Sequence, residues 1–271
     1  MQVLSNEQLQ RLSPSVFALE PWQAQSKNYR FIPTINVIDA LRDAGFHPVR
    51  AQQSRSRIEG KANFTKHMLR FRQLNPVAYQ VNDIIPEIVL INSHDGTSSY
   101  QMSLGLFRLV CSNGMVVQDA NLDNIRVTHR GDRDLCQNVI DVSAQIIGEA
   151  PKALELVNRW QSLTLQAPER LALAEGAKAL NDTTIDFSPE RLLNYRRYAD
   201  APKPDGSSDL WKTFNVIQEN LIRGGVRGRT TNNRIMRTRA VTSVDRDVKL
   251  NKALWTLAAK MAEIKTSAVL N

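Results

Sequence analysis

Between residues 46 and 130 the apolar positions alternate or run in short stretches bounded by turn residues, whereas beyond Gly131 they return every three or four residues. A period of two places successive side chains on opposite faces of a sheet, and a period near 3.6 lays them along one stripe of a helix. The switch therefore predicts an α+β fold, an antiparallel β-meander packed on the helices that follow. Strands are expected from Phe46 onward and at Met68 to Arg72, Ile84 to Asn92, Ser98 to Val110, Met115 to Val117 and Ile125 to His129. The Asp95-Gly96 step suits a tight hairpin and makes the third and fourth of these antiparallel neighbours. Asn113-Gly114 is read as a second turn.

Thr34 is expected to cap a helix carrying Ile35, Ile38 and Leu41, with Gly45 as its left-handed stop. Downstream, Val139, Val142 and Ile146 mark one helical stripe, and Leu154, Val157 and Trp160 the next. Further helices are expected at 168–180 and at 189–198, the latter opened by Ser188-Pro189-Glu190. Leu210, Phe214, Ile217 and Leu221 define another, and Leu250, Leu254, Leu257, Met261 and Ile264 a last one starting near Ser243. The resulting organisation is an N-terminal arm at 1–33, an α+β core at 34–199, a linker at 200–208 rich in Pro, Gly and Ser, and a C-terminal helical subdomain at 209–271. The arm either serves oligomerisation or lies over its own domain.

Hydrophobic residues at 42% and charged residues at 23% argue for a globular chain rather than a disordered one. Two cysteines in 271 residues, Cys111 and Cys136, fit a reducing compartment, and both read as packing residues. No apolar run reaches the roughly 18 residues that span a membrane, and the N-terminus lacks the pattern of a signal peptide, so a cytoplasmic protein is expected.

Lys and Arg number 35 against 27 Asp and Glu, a net charge of +8 that favours polyanionic partners. Six arginines, Arg223, Arg227, Arg229, Arg234, Arg237 and Arg239, fall within the 17 residues from 223 to 239 without an acid among them. This stretch reads as a glycine-containing basic loop between two helices. Guanidinium forks bond phosphate oxygens in pairs, and the glycines would let the backbone approach a ligand. A second basic segment carries Arg50, Arg55, Arg57, Lys61, Lys66, Arg70 and Arg72 against the single acid Glu59. Phe64 and Phe71 lie among them, a mixture suited to a single strand, although Phe71 alternates with Arg70 and Arg72 and reads as core.

Catalytic signatures do not appear. The segment from Gly224 to Gly228 lacks the G-x-x-x-x-G-K-[ST] pattern, and neither G-x-S-x-G nor H-E-x-x-H occurs. The four histidines, His47, His67, His94 and His129, stand far apart in sequence. His94 and Asp95 are expected at the surface of a hairpin, with His129 flanking a strand end. Neither a metal, a cofactor nor a small-molecule substrate is expected.

Two segments, Gly105 to Val117 (GLFRLVCSNGMVV) and Asp209 to Gly225 (DLWKTFNVIQENLIRGG), resemble the family known as domain of unknown function 932. The resemblance covers most of the chain and implies a phage, prophage or plasmid context, but it supplies no activity. The order helix, antiparallel meander, long helix is also similar to that of the single-strand annealing proteins, an analogy of element order alone. The leading functional reading is a non-catalytic protein that binds single-stranded DNA, as a possible homo-oligomer, in recombination or DNA maintenance. The competing reading is a protein-binding module such as an inhibitor of a host defence system.

Overall fold

The computed structural model describes residues 2–25, 31–74, 84–109, 113–116, 125–126, 135–181 and 183–269. The chain divides into two compact units, Met1–Pro151 with Thr242–Val244, and Lys152–Val241 with Asp245–Asn271. The fold is α+β.

The first unit opens with α1 (Asn6–Leu12), whose N-terminus is closed reciprocally by the side chains of Ser5 and Gln8. A 3-10 turn at Pro14–Phe17 follows. Leu9 and Val16 are fully buried and the Leu4 amide donates to the Pro48 carbonyl at 2.8 Å, so the described part of the arm lies on its own unit. Next come α2 (Thr34–Asp43) and β1 (Phe46–Gln53), joined through Gly45 at φ +86°. A left-handed residue ends a helix at little cost only as glycine. Pro33, not Thr34, occupies the N-cap of α2, and the Thr34 hydroxyl turns inward instead.

The sheet continues with β2 (His67–Gln73), β3 (Ile84–Asn92), β4 (Gln101–Arg108), β5 (Asn113–Val116) and β6 (Ile125–Arg126). Strands β1 to β5 are ordered as in sequence and pair antiparallel, while β6 pairs β4 beside β5. Strands β3 and β4 are antiparallel neighbours as expected, but residues 93–100 connect them, a longer loop than the tight hairpin the Asp-Gly step suggests, with Gly96 at φ +75°. Asn113 and Gly114 are strand residues opposite Arg108 and Phe107, not turn residues. Cys111 and His129 lie outside the described residues.

Every residue of β3 is buried, which identifies it as the central strand. Ile88 pairs Leu104 and Leu90 pairs Met102, aligning one apolar face, and α3 (Leu135–Gly148) packs against β3, β4 and α2. The opposite face carries charge: Arg70 and Arg72 of β2 and Glu87 of β3 are all interior. Glu87 Oε2 stands 3.0 Å from Arg70 Nη1 and Oε1 2.6 Å from Arg72 Nη2, and the Arg72 guanidinium lies 3.4 Å from the Phe107 ring centroid. Burial lowers the Arg72 pKa and Glu87 acts against that shift.

Helix α4 (Ala150–Ser162) carries the chain into the second unit. There β7 (Thr164–Leu165), α5 (Ala167–Ala179), β8 (Ser208–Asp209), α6 (Leu210–Arg223), β9 (Arg227–Arg229), β10 (Ile235–Arg237) and α7 (Val244–Val269) follow. The core is aromatic. The Trp160 ring lies 4.6 Å from Trp255 and 5.8 Å from Phe214, and Phe214 stacks on Trp211 at 5.6 Å. Helix α6 is buried at every position from Thr213 to Leu221, including Asn215, Gln218, Glu219 and Asn220, so it is the central helix of this unit. Its apolar stripe was legible in the residues, but its interior polar face was not.

Two expectations are revised here. The helix expected at 189–198 is only a 3-10 turn at Pro189–Leu193 followed by another at Tyr198–Asp200. Residues 200–208 do not link two subdomains but lie inside the second unit. Asp200, Ser207 and Ser208 are buried, β8 pairs β7, and Arg170 Nη1 donates to the Gly206 carbonyl at 2.7 Å. Among the described residues no helix is long and apolar enough to cross a membrane.

Candidate nucleic-acid interface

The basic stretch between α6 and α7 is a β-hairpin rather than a loop. Strands β9 and β10 pair Arg227 with Arg237, Gly228 with Met236 and Arg229 with Ile235. Asn233 closes the turn at φ +59°, a conformation that asparagine tolerates better than most residues, while Thr230 and Arg234 exchange a backbone bond of 2.9 Å. Position parity puts Arg227, Arg229, Ile235 and Arg237 on one face and Gly228 and Met236 on the other. All six arginines of the stretch are exposed.

The hairpin is held from below. Backbone bonds link Asp186 and Arg229 in both directions, at 2.8 and 2.7 Å, and Thr238 bonds the backbone of Gly225 and Val226. Arg191 Nη1 donates to the Arg227 carbonyl at 3.0 Å, and Arg196 Nη2 donates to the Gly224 carbonyl at 2.6 Å. Neither Arg191 nor Arg196 stood out in the sequence, because each acts through backbone oxygens distant along the chain. The glycines also have a role different from the expected one. A Cβ on Gly228 would meet the Asp186 carbonyl oxygen at 2.3 Å, and one on Gly224 the Arg239 carbonyl carbon at 2.5 Å. They admit the protein's own backbone, not a ligand.

The six arginines divide by what they touch. Arg229 Nη1 donates to Asn233 Oδ1 at 2.9 Å, Arg237 Nη1 to the Gly225 carbonyl at 3.2 Å, and Arg223 pairs Glu219 at 3.1 Å. Arg227, Arg234 and Arg239 carry exposed guanidinium groups with no carboxylate partner among the described residues. On the far face of the hairpin an open cavity of about 500 Å³ is lined by Thr183, Thr184, Thr230, Met236, Arg239 and Arg246, so hydroxyl and guanidinium donors face it together.

A model of the family described as Domain of unknown function (DUF932) matches residues 21–255, a span that takes in the hairpin and most of both units. The chain belongs to this family. Among curated relatives it is 41% identical to the UPF0380 protein YafZ of Escherichia coli (strain K12) over 257 residues, 94% of this chain and 90% of that one. It is 40% identical to the UPF0380 protein YfjQ of the same organism, with the same coverage. No solved structure matches, so the analogy to single-strand annealing proteins has no structural neighbour behind it.

The second basic segment of this DUF932 chain breaks up. Arg50, Arg55 and Arg57 are exposed, and Lys66 is half-buried. Lys61 Nζ pairs Asp95 Oδ2 at 3.2 Å. Arg70 and Arg72, expected as phosphate contacts, are interior and bound to Glu87; the alternation of Phe71 with them marked a strand buried on both faces. Phe64 is half-buried against Trp22, ring centroids 5.3 Å apart.

His94 is a correction of another kind, since it is fully buried rather than exposed on the hairpin. Its Nε2 and that of His67 both lie 3.0 Å from Thr34 Oγ1, which also accepts from Asn92 Nδ2 at 3.1 Å and stands 3.1 Å from Tyr100 Oη. Ser15 Oγ reaches His67 Nδ1 at 2.8 Å. Burial lowers the His67 pKa to about 3 and the His94 pKa to about 4. The network knits α2, β2, β3 and the arm together, and no group of three or more metal-ligating side chains gathers among the described residues.

Proposed function

We propose that the chain binds single-stranded nucleic acid without catalysis, with the β9–β10 hairpin as its principal phosphate-binding element. The observation that carries this reading is the exposure of all six arginines in and beside the hairpin, on a backbone whose own bonds are already made within the second unit. Forming guanidinium–phosphate bonds there needs no unfolding, and the counterions released on neutralising phosphates drive association. The prophage or plasmid context that the family implies fits a role in recombination or DNA maintenance.

Measuring affinity for an oligothymidylate against salt tests the reading. Four to six phosphate contacts give a slope of log affinity on log salt near −3 to −4 for a single strand, at about −0.7 per phosphate. The variant R227A/R234A/R239A removes the three guanidinium groups of the stretch that make no hydrogen bond or ion pair among the described residues. It is expected to flatten that slope by about 0.7 for each phosphate left unneutralised and to melt within a few degrees of the native protein. Absence of binding at about 50 mM salt, with the protein folded, refutes the proposal. The exposed Ile235 and Met236 on the same hairpin favour a second reading, a protein partner, which predicts tight binding that resists salt.

A further inference from the structure

Two tyrosines in the second unit leave their rings in water: Tyr198 is 90% exposed and Tyr195 is 47% exposed. A phenol ring so placed contributes nothing to the core, yet it offers a flat apolar face of the kind that stacks on a base. The segment that carries them is pinned to the root of the hairpin. Asn220 Nδ2 donates to the Asn194 carbonyl at 2.9 Å, and Arg196 bonds Asn220 Oδ1 through Nε and the Gly224 carbonyl through Nη2. Arg197 pairs Glu219, the same carboxylate that holds Arg223. Tyr195 and Tyr198 therefore flank two arginines whose side chains end on the last turns of α6 and on Gly224, which caps that helix just before the hairpin. Three residues span at most about 11 Å, so one nucleic-acid strand can meet both rings.

We infer that Tyr195 and Tyr198 are base-stacking residues, and that the ligand class is a strand with unpaired bases rather than a duplex. The inference rests on the function proposed above and sharpens it, because arginine contacts to phosphate alone do not distinguish a single strand from a double one. In a duplex the base faces are already stacked on their neighbours and are closed to a surface ring. An unpaired base is open, and a stacking side chain accepts any base because each has a π-face.

The experiment uses the full chain with Tyr195→Ala, Tyr198→Ala and Tyr198→Phe, and three probes: oligothymidylate, a duplex of equal length, and heparin, a polyanion without bases. Each alanine variant is expected to lose about tenfold in affinity for oligothymidylate, with the salt slope and heparin binding unchanged, while Tyr198→Phe keeps native affinity. The native protein is expected to prefer oligothymidylate to the duplex. If both alanine variants bind oligothymidylate like the native chain while R227A/R234A/R239A loses affinity, stacking is refuted and the arginine hairpin stands. A parallel loss of heparin binding in the alanine variants also refutes stacking, since it marks a disturbed hairpin root. A folded native protein that binds no oligothymidylate at low salt overturns both the stacking and the reading on which it rests.

Discussion

At the scale of single residues, the most constrained atom of the first unit is Thr34 Oγ1. A hydroxyl has two lone pairs and one proton, and four polar groups stand within 3.1 Å of this one. With both imidazoles protonated, His67, His94 and Asn92 would all aim N–H groups at it, one more than its lone pairs accept. The two rings therefore cannot both be protonated, and burial, with pKa values of about 3 and about 4, keeps both neutral. Asp95, held by Thr97 and Lys61, is the acidic neighbour that favours the charged form of both rings, and burial outweighs it. In the unfolded chain both rings take up a proton near pH 6.5, whereas in the folded chain they do so only near 3 to 4. The depressed values thus favour folding above about pH 6.5, and that stability is lost as pH falls. Between pH 7 and pH 5, a window above the ordinary carboxylate range, stability is expected to fall by roughly 2 kcal/mol per histidine. Urea midpoints followed by a probe of the first unit would read this directly, and identical midpoints at the two pH values would contradict it.

At the scale of elements, the arginine hairpin depends on a close approach that only glycine permits. The Asp186 carbonyl oxygen and Ile185 Cγ2 lie 2.3 and 2.7 Å from where a Gly228 Cβ would stand, and the former is backbone that cannot rotate away. Gly228→Ala is expected to separate the hairpin from the 185–186 segment and to destabilise the second unit by about 1–3 kcal/mol. Oligothymidylate affinity of the still-folded variant should fall as well, because the arginines lose their fixed platform. Thermal melting together with the binding assay distinguishes this outcome from unchanged packing. The hairpin itself was hidden in the sequence, since β9 and β10 have three residues each and carry no alternating apolar pattern. Helices α6 and α7, with long amphipathic stripes, were legible at nearly their full extents.

At the scale of the whole molecule, the composition of residues 200–208 points to a linker, but the chain divides at residues 151 and 152. Pro202, Pro204 and Gly206 make a compact surface turn, not a flexible connection, as the Lys203 amide bonded to the Ser207 carbonyl at 2.8 Å shows. A fragment of residues 209–271 is accordingly expected not to fold alone. It would keep Trp211, Phe214 and Trp255 but lack Trp160, the fully buried ring that contacts all three. Calorimetry of that fragment should show no cooperative transition; a sharp melt would restore the linker reading. What the sequence by itself determined is the α+β class, the order of strands β1 to β4, the long helices and the DUF932 kinship, because these depend on local periodicity and turn chemistry. Only tertiary structure decided which basic residues face water. Arg70 and Arg227 are the same side chain in equally basic stretches, and the difference lies in Glu87, a carboxylate on a neighbouring strand that draws Arg70 into the interior while no described carboxylate pairs with Arg227. A charge is buried or exposed according to the partner it finds across the fold, and that partner is distant in sequence.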